Sequence, residues 1–258
     1  MEKQITNSPI GFFDSGVGGL SVMKKAMIYM PEENYIYLGD SGNAPYGVKD
    51  IPEIKKLTLN NVEFLIEKGV KAVVVACNTA TSVAIEELRN KYKDIPIIGI
   101  EPALKPAVEM GKDGRIVIMA TNATLKEKKF NKLMNKYSSG KDIFPLPCPG
   151  LVEFIESGVL EGAELEDFLH EILKDALKKE LSSVVLGCTH YPFVKETIQK
   201  IVGEYVEIID GSSGTARELK RKLIEMKMKK ASGDKGSVQI YNTLGNEKIE
   251  LSYKLINY

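Results

Sequence analysis

VVVACNTAT at residues 73–81 and VVLGCTHYP at residues 184–192 are the two stretches that decide the fold. Each is an apolar run of strand length that breaks at a small residue and continues as cysteine and then amide- or hydroxyl-bearing residues. A continuous Val/Leu run is the mark of a strand buried on both faces of a parallel sheet, and open α/β sheets place their ligands at the carboxyl ends of such strands. Cys77 and Cys188 are therefore expected as two equivalent thiols at strand ends.

Outward from these runs, strand and helix patterns alternate along the chain. A strand at 10–13 meets the glycine-rich loop DSGVGG at 14–19, and a helical pattern follows at 20–29. GVGG lacks the G-x-G-x-x-G spacing of a dinucleotide loop, and no G-x-x-x-x-G-K-[ST] occurs. The glycines are read as letting a small ligand approach the backbone, with Asp14 and Ser15 presented at the strand end. A strand at 35–38 runs into GDSGNAPYG at 39–47, a turn-forming loop expected to contact ligand. A helix at 52–68 carries inward-facing Ile54, Leu57, Val62, Phe64 and Leu65. The first thiol strand at 72–76, a helix at 79–92 and a strand at 97–100 complete this half.

EPALKP at 101–106 breaks the pattern, and the chain then begins again. A strand at 115–120 ends in TNAT at 121–124, a helix covers 125–137, and a proline-interrupted strand covers 143–148. Helices at 151–157 and 165–179 precede the second thiol strand. The first of these turns either Glu153 or Glu156 toward a cleft, a choice its pattern does not make. Asp14 and Cys77 are separated by nearly the same distance as Thr121 and Cys188, which suggests two related α/β units. The remainder reads as a helix at 197–202, a strand at 205–209, a helix at 215–230 and a final edge strand at 237–244, expected to be antiparallel.

With 258 residues, 43% of them hydrophobic, the chain can bury a large core. Its 35 basic and 35 acidic residues cancel, leaving no net field to recruit nucleic acid or an acidic membrane surface. Lysines and arginines cluster at 215–230, but Leu219, Leu223, Ile224, Met226 and Met228 interleave with them, as on an amphipathic helix with a solvated basic face. No signal peptide and no run of about 18 apolar residues is present, so a cytoplasmic protein is expected. Three cysteines in such a chain are expected to be free thiols. Cys148, among prolines, is read as a packed core residue.

Packing alone does not call for the polar neighbours Asn78, Thr79, Thr189 and His190 beside the two remaining thiols. Cys77, Cys188 and His190 could supply three zinc ligands, although neither a C-x-x-C pair nor a second close histidine accompanies them. A redox dithiol would also favour C-x-x-C. Acid/base chemistry is the other reading: inverting a carbon next to a carboxylate takes one base on each face, and a thiol titrating near 8.5 can be tuned to serve as either partner. Asp14 and His190 are the candidate tuners.

GFFDSGVGGLSV (11–22), GDSGNAPYG (39–47), ACNTATSVA (76–84), GIEPALKPA (99–107) and GCTHYPF (187–193) together resemble the cofactor-independent aspartate/glutamate racemase superfamily, and within it the glutamate racemases. The resemblance implies two pseudo-symmetric α/β domains with mainly parallel sheets and the active site in the cleft between them. The first would be residues 1–99 plus 210–258 and the second residues 100–209. It implies interconversion of L- and D-glutamate without pyridoxal phosphate or any other cofactor or metal, supplying D-glutamate for peptidoglycan, in a homodimer. By the same resemblance Cys77 and Cys188 exchange the proton, assisted by Asp14 and His190 respectively. Asp14, Ser15, Tyr46, Gly47, Asn78, Thr79, Thr189 and His190 would bind glutamate, with Thr121 and Glu156 around the cleft. The segment 229–258 matches the family pattern least, and nothing catalytic is expected from it. Aspartate racemisation and small-acid binding without turnover are the alternatives; binding alone would not need both thiols.

Overall fold

The computed structural model describes residues 2–137, 140–231 and 233–257. Among the described residues nine strands follow one another as β1 Ile10–Asp14, β2 Tyr35–Gly39, β3 Ala72–Val75, β4 Ile97–Gly99, β5 Arg115–Ala120, β6 Ile143–Pro147, β7 Leu181–Leu186, β8 Glu207–Asp210 and β9 Val238–Asn242. They form a five-stranded sheet in the order β4-β3-β1-β2-β9 and a four-stranded sheet in the order β6-β5-β7-β8. Every ladder in both is parallel. β3 shows why: Ala72, Val73, Val74 and Val75 are all fully buried, as a β-branched run must be when helices cover both faces.

Read in reverse, the second sheet is β8-β7-β5-β6, which matches β4-β3-β1-β2 strand for strand. The pairing sets β3 against β7 and β1 against β5, so Cys77 and Cys188 follow equivalent strands, and Asp14 and Thr121 stand at the ends of equivalent strands. β9 is the addition that breaks the likeness.

That last strand corrects the expectation of an antiparallel edge. β9 pairs in parallel with β2, with Val238 opposite Tyr35 and Asn242 opposite Gly39. The chain comes to it from β8 of the other sheet through the helix Ser212–Glu225, which lies against the helix Leu20–Tyr29, and enters at the end of the first sheet where β1 and β2 begin, so the ladder with β2 is parallel. The segment after that helix is clasped to the first sheet by Lys71. Its buried ammonium donates to Glu33 Oε2 at 2.5 Å, to the Met228 carbonyl at 2.9 Å and to the Thr6 carbonyl at 2.7 Å.

Elsewhere the helices differ from expectation in detail. Asp50 caps the helix Ile51–Glu67 by accepting from the Glu53 N–H at 2.8 Å, and Ile54, Val62 and Leu65 are buried on its inner face while Leu57 and Phe64 are only partly so. A helix forms at Leu104–Glu109, within the expected break, because Pro106 falls in its first turn where an N–H has no partner to lose. The expected helix 125–137 is two, Asn122–Lys126 and Lys128–Tyr137, parted at the extended Glu127. The helix expected at 215–230 starts at Ser212 and stops at Glu225. Helices Glu2–Asn7 and Asn246–Asn257 form where the sequence pattern predicts no element. Among the described residues no helix is long and apolar enough to cross a membrane.

Candidate active site

Cys77 sits at the N-cap of the helix Asn78–Lys91, where its sulfur accepts from the Ala80 N–H at 3.4 Å and lies 3.4 Å from Ser15 Oγ. It is buried, and burial, with the Asp14 carboxylate adding to it, pushes the thiol up to about 12. The helix N-terminus works the other way, favouring thiolate once a proton has left. Asp14 is itself fully buried at the end of β1. Its Oδ1 accepts from the Gly16 N–H at 2.9 Å and its Oδ2 from Thr189 Oγ1, which lies beyond the end of β7, at 2.9 Å. Burial raises Asp14 above the usual carboxylate range despite these donors and the nearby His190.

Cys188 faces a different partner. Its sulfur is 3.7 Å from His190 Nδ1, and His190 Nε2 is 2.7 Å from Glu156 Oε1. Burial would lower the imidazole, but Cys188 and Glu156 on its two nitrogens hold its pKa well above the ordinary value. Burial likewise opposes the charged form of Glu156, yet His190, the Val17 N–H and Lys248 bring it down to about 2. The two thiols are thus equivalent in topology and unlike in chemistry: a carboxylate near one, an imidazolium against the other.

Glu156, not Glu153, turns into the cleft, and it gathers groups from distant parts of the chain. Oε1 accepts from the Val17 N–H at 2.7 Å, Oε2 accepts from Ser41 Oγ at 3.1 Å, and Lys248 Nζ stands 3.5 Å from Oε2. The glycine loop makes this possible. A Cβ on Gly16 would lie 1.8 Å from Glu156 Oε1, and one on Gly18 would lie 2.4 Å from His190 Nδ1. These glycines admit side chains from the second sheet's side of the cleft.

The remaining candidates divide. Thr79 Oγ1 is 3.1 Å from both Thr121 Oγ1 and Thr124 Oγ1, so the hydroxyls of the two halves meet across the cleft. Gly47 packs its backbone on Thr121, where an added Cβ would come within 2.7 Å of that residue's Cβ. Tyr46 is buried with its hydroxyl donating to Asp40 Oδ2 at 2.6 Å, which commits its polar end to the first half's interior. Asn78 is buried with both amide atoms unpartnered, and it borders a cavity of about 200 Å³ shared with Ser82, Thr124 and Phe130. Cys148 is buried, donating to the Leu146 carbonyl at 3.4 Å. Thr124, Ser41 and Lys248 were missed by sequence reasoning; TNAT held a signal for Thr124, whereas Lys248 lies in a stretch without a motif. Among the described residues no group of three or more His, Cys, Asp or Glu side chains is arranged to hold a metal ion.

A family model described as Asp/Glu/Hydantoin racemase matches residues 23–219. A glutamate racemase of Clostridium perfringens (strain ATCC 13124) is 60% identical over 257 residues, covering 99% of each chain. Among solved structures, a glutamate racemase isoform from Bacillus anthracis is similar with a TM-score of 0.87 and 30% identity, covering 98% of this chain and 95% of that one. The glutamate racemase of Francisella tularensis, solved in complex with D-glutamate, has a TM-score of 0.84 and 31% identity over 98% of this chain and 95% of its own.

Proposed function

The chain belongs to the Asp/Glu/Hydantoin racemase family, and from that premise we propose that it racemises glutamate by passing the α-proton between Cys77 and Cys188. Glutamate racemisation is the activity its full-length relatives are named for, and supply of D-glutamate for peptidoglycan synthesis is the role we infer for its product. The observation that carries the two-thiol reading is topological: the sulfurs follow equivalent strands of two sheets with the same strand order, so the halves present like groups to one cleft.

In one direction the Cys77 thiolate takes the α-proton from one face, the carbon becomes a carbanion conjugated with its carboxylate, and the Cys188 S–H delivers a proton to the opposite face. The reverse direction exchanges the roles. A thiol held near 12 is protonated at rest, and the substrate ammonium, brought into a buried site, is the cation that offsets the Asp14 charge and frees the thiolate. Cys188 faces the His190 imidazolium, which stabilises a thiolate there directly. Asn78, with both amide atoms unpartnered, and the hydroxyls of Ser15, Thr79, Thr121 and Thr189 are the groups to hold the substrate's carboxylates and ammonium. Residues 1–99 with 210–258, and residues 100–209, are the two bodies that part to admit it. A cytoplasmic location and a homodimer complete the proposal.

The test is circular dichroism of L-glutamate solutions with Cys77→Ser and Cys188→Ser. Each is expected to lose racemisation by at least a thousandfold, in the range for removing a catalytic group that acts as part of a unit. Unchanged turnover in either variant would overturn the two-thiol scheme.

A further inference from the structure

Lys248 belongs to the C-terminal helix Asn246–Asn257, outside the matched family region. That helix is fixed by Leu255 and Ser252, both buried, the latter donating to the Lys248 carbonyl at 2.7 Å. From it, Lys248 donates to the backbone carbonyl of Glu156 and stands 3.5 Å from Oε2 of the same residue, with both side chains largely buried. Glu156 Oε1 is already shared between the Val17 N–H and His190 Nε2. The orientation of the carboxylate therefore rests on the partners of Oε2, the neutral Ser41 hydroxyl and the Lys248 ammonium.

We propose that Lys248 is a positioning residue for proton transfer at Cys188, acting through Glu156 and His190. The inference rests on the two-thiol reading above. The charged and titratable groups facing His190 are Cys188 at Nδ1, Glu156 at Nε2 and the Asp14 carboxylate, while Lys248 acts on Glu156 and the nearby Tyr37 phenol, raised by burial, stays neutral. Lys248 opposes the pull of Glu156 on the imidazolium, both by neutralising the carboxylate and by direct repulsion. Without it, Glu156 holds the imidazolium more tightly, and the cation 3.7 Å from the Cys188 sulfur is retained more firmly. Proton abstraction by Cys188 slows, while donation from its S–H does not.

Racemisation gives this a distinct kinetic signature. The two enantiomers are equal in energy, so kcat/KM must be the same in both directions for any variant. A change that stabilises only the bound state in which Cys188 is the base, leaving the transition state unmoved, then appears as kcat and KM falling together in one direction. A merely structural defect lowers the active fraction, reducing kcat equally in both directions and leaving KM unmoved.

The experiment compares wild type, Lys248→Met and Lys248→Arg. It measures kcat and KM from each enantiomer of glutamate and follows imidazole protonation by 15N NMR across pH. The chain has two histidines, and exposed His170 is an internal control for His190. Lys248→Met is expected to move the His190 titration up by about half a unit to one unit and to lower kcat about fivefold in one direction only, and Lys248→Arg to restore both. An unmoved His190 titration with equal changes in both directions would overturn the proposal. Lys248→Gln, which keeps a donor to the Glu156 carbonyl and loses only the charge, serves if the methionine variant does not fold. Because the His190 titration is read without turnover, failure here is distinct from failure of the two-thiol scheme, which the cysteine variants report.

Discussion

Asn78 carries an amide donor and an acceptor into a buried position and pairs neither. A buried polar group left unpaired costs about 1–3 kcal/mol, a cost that binding can return. Asn78→Ala removes that cost from the free protein and the contact from the complex. Thermal melting is expected to be unchanged or slightly higher, while KM for glutamate rises about tenfold, in the range of one lost hydrogen bond to a charged group. A lower melting point with unchanged KM would assign Asn78 to structure. The thiols invite the same residue-by-residue view. Cys77 and Cys188 stood out in the sequence because core packing does not require polar residues after a buried strand. Their different surroundings were only partly legible: Asp14 and His190 are near their thiols in the chain or at the head of the paired strand, but Glu156 reaches His190 from a helix whose phase the sequence left open.

At the scale of elements, the loop from Asp14 to Gly19 closes the cleft. Gly18 is not among the glycines with positive φ, so alanine there meets no backbone strain, and its only penalty is the collision with His190 and Thr189. Gly18→Ala is accordingly expected to fold, to lose no more stability than the displaced Thr189–Asp14 and His190–Glu156 contacts supply, and to lose about a hundredfold or more in kcat/KM because His190 cannot seat, measured by paired melting and racemisation assays. Loss of stability comparable to a core substitution would show that the loop, not the closure, bears the damage. The strands were the easiest elements to read, since continuous apolar runs on a doubly covered sheet admit few other interpretations. β9 was placed but misdirected, because the sense of an edge strand depends on the end from which the chain arrives. The helix Asn246–Asn257 is not legible in the sequence: its charged residues mask an inner face supplied by Ile249, Leu251, Leu255 and Ile256, whose partners lie in the core. The link from Lys248 to the site was invisible for the same reason.

At the scale of the whole molecule, the two halves are held by the groups that line the cleft: Asp14 with Thr189, Thr79 with Thr121 and Thr124, and Glu156 with His190 across to Val17 and Ser41. Two of these groups titrate with opposite sign. Glu156, held at about 2 against an ordinary 4.5, contributes stability that is complete above about pH 4.5 and is lost as pH falls toward 2. His190, held above its ordinary 6.5, contributes stability that is complete below about 6.5 and is lost as pH rises through its raised value. Urea midpoints plotted against pH are expected to fall on the acid side between about 4.5 and 2, and Glu156→Gln to flatten that limb; an unchanged acid limb would remove Glu156 from the account. The same contacts have a consequence for affinity. These contacts occupy the hydroxyls of Thr79, Thr121 and Thr189 that are assigned to the substrate, so in any closed molecule glutamate competes with the protein's own side chains for them. The affinity measured at equilibrium is then the affinity of the open form discounted by the fraction of molecules open, and a substitution far from the substrate that loosens the closed form can tighten binding without touching the ligand.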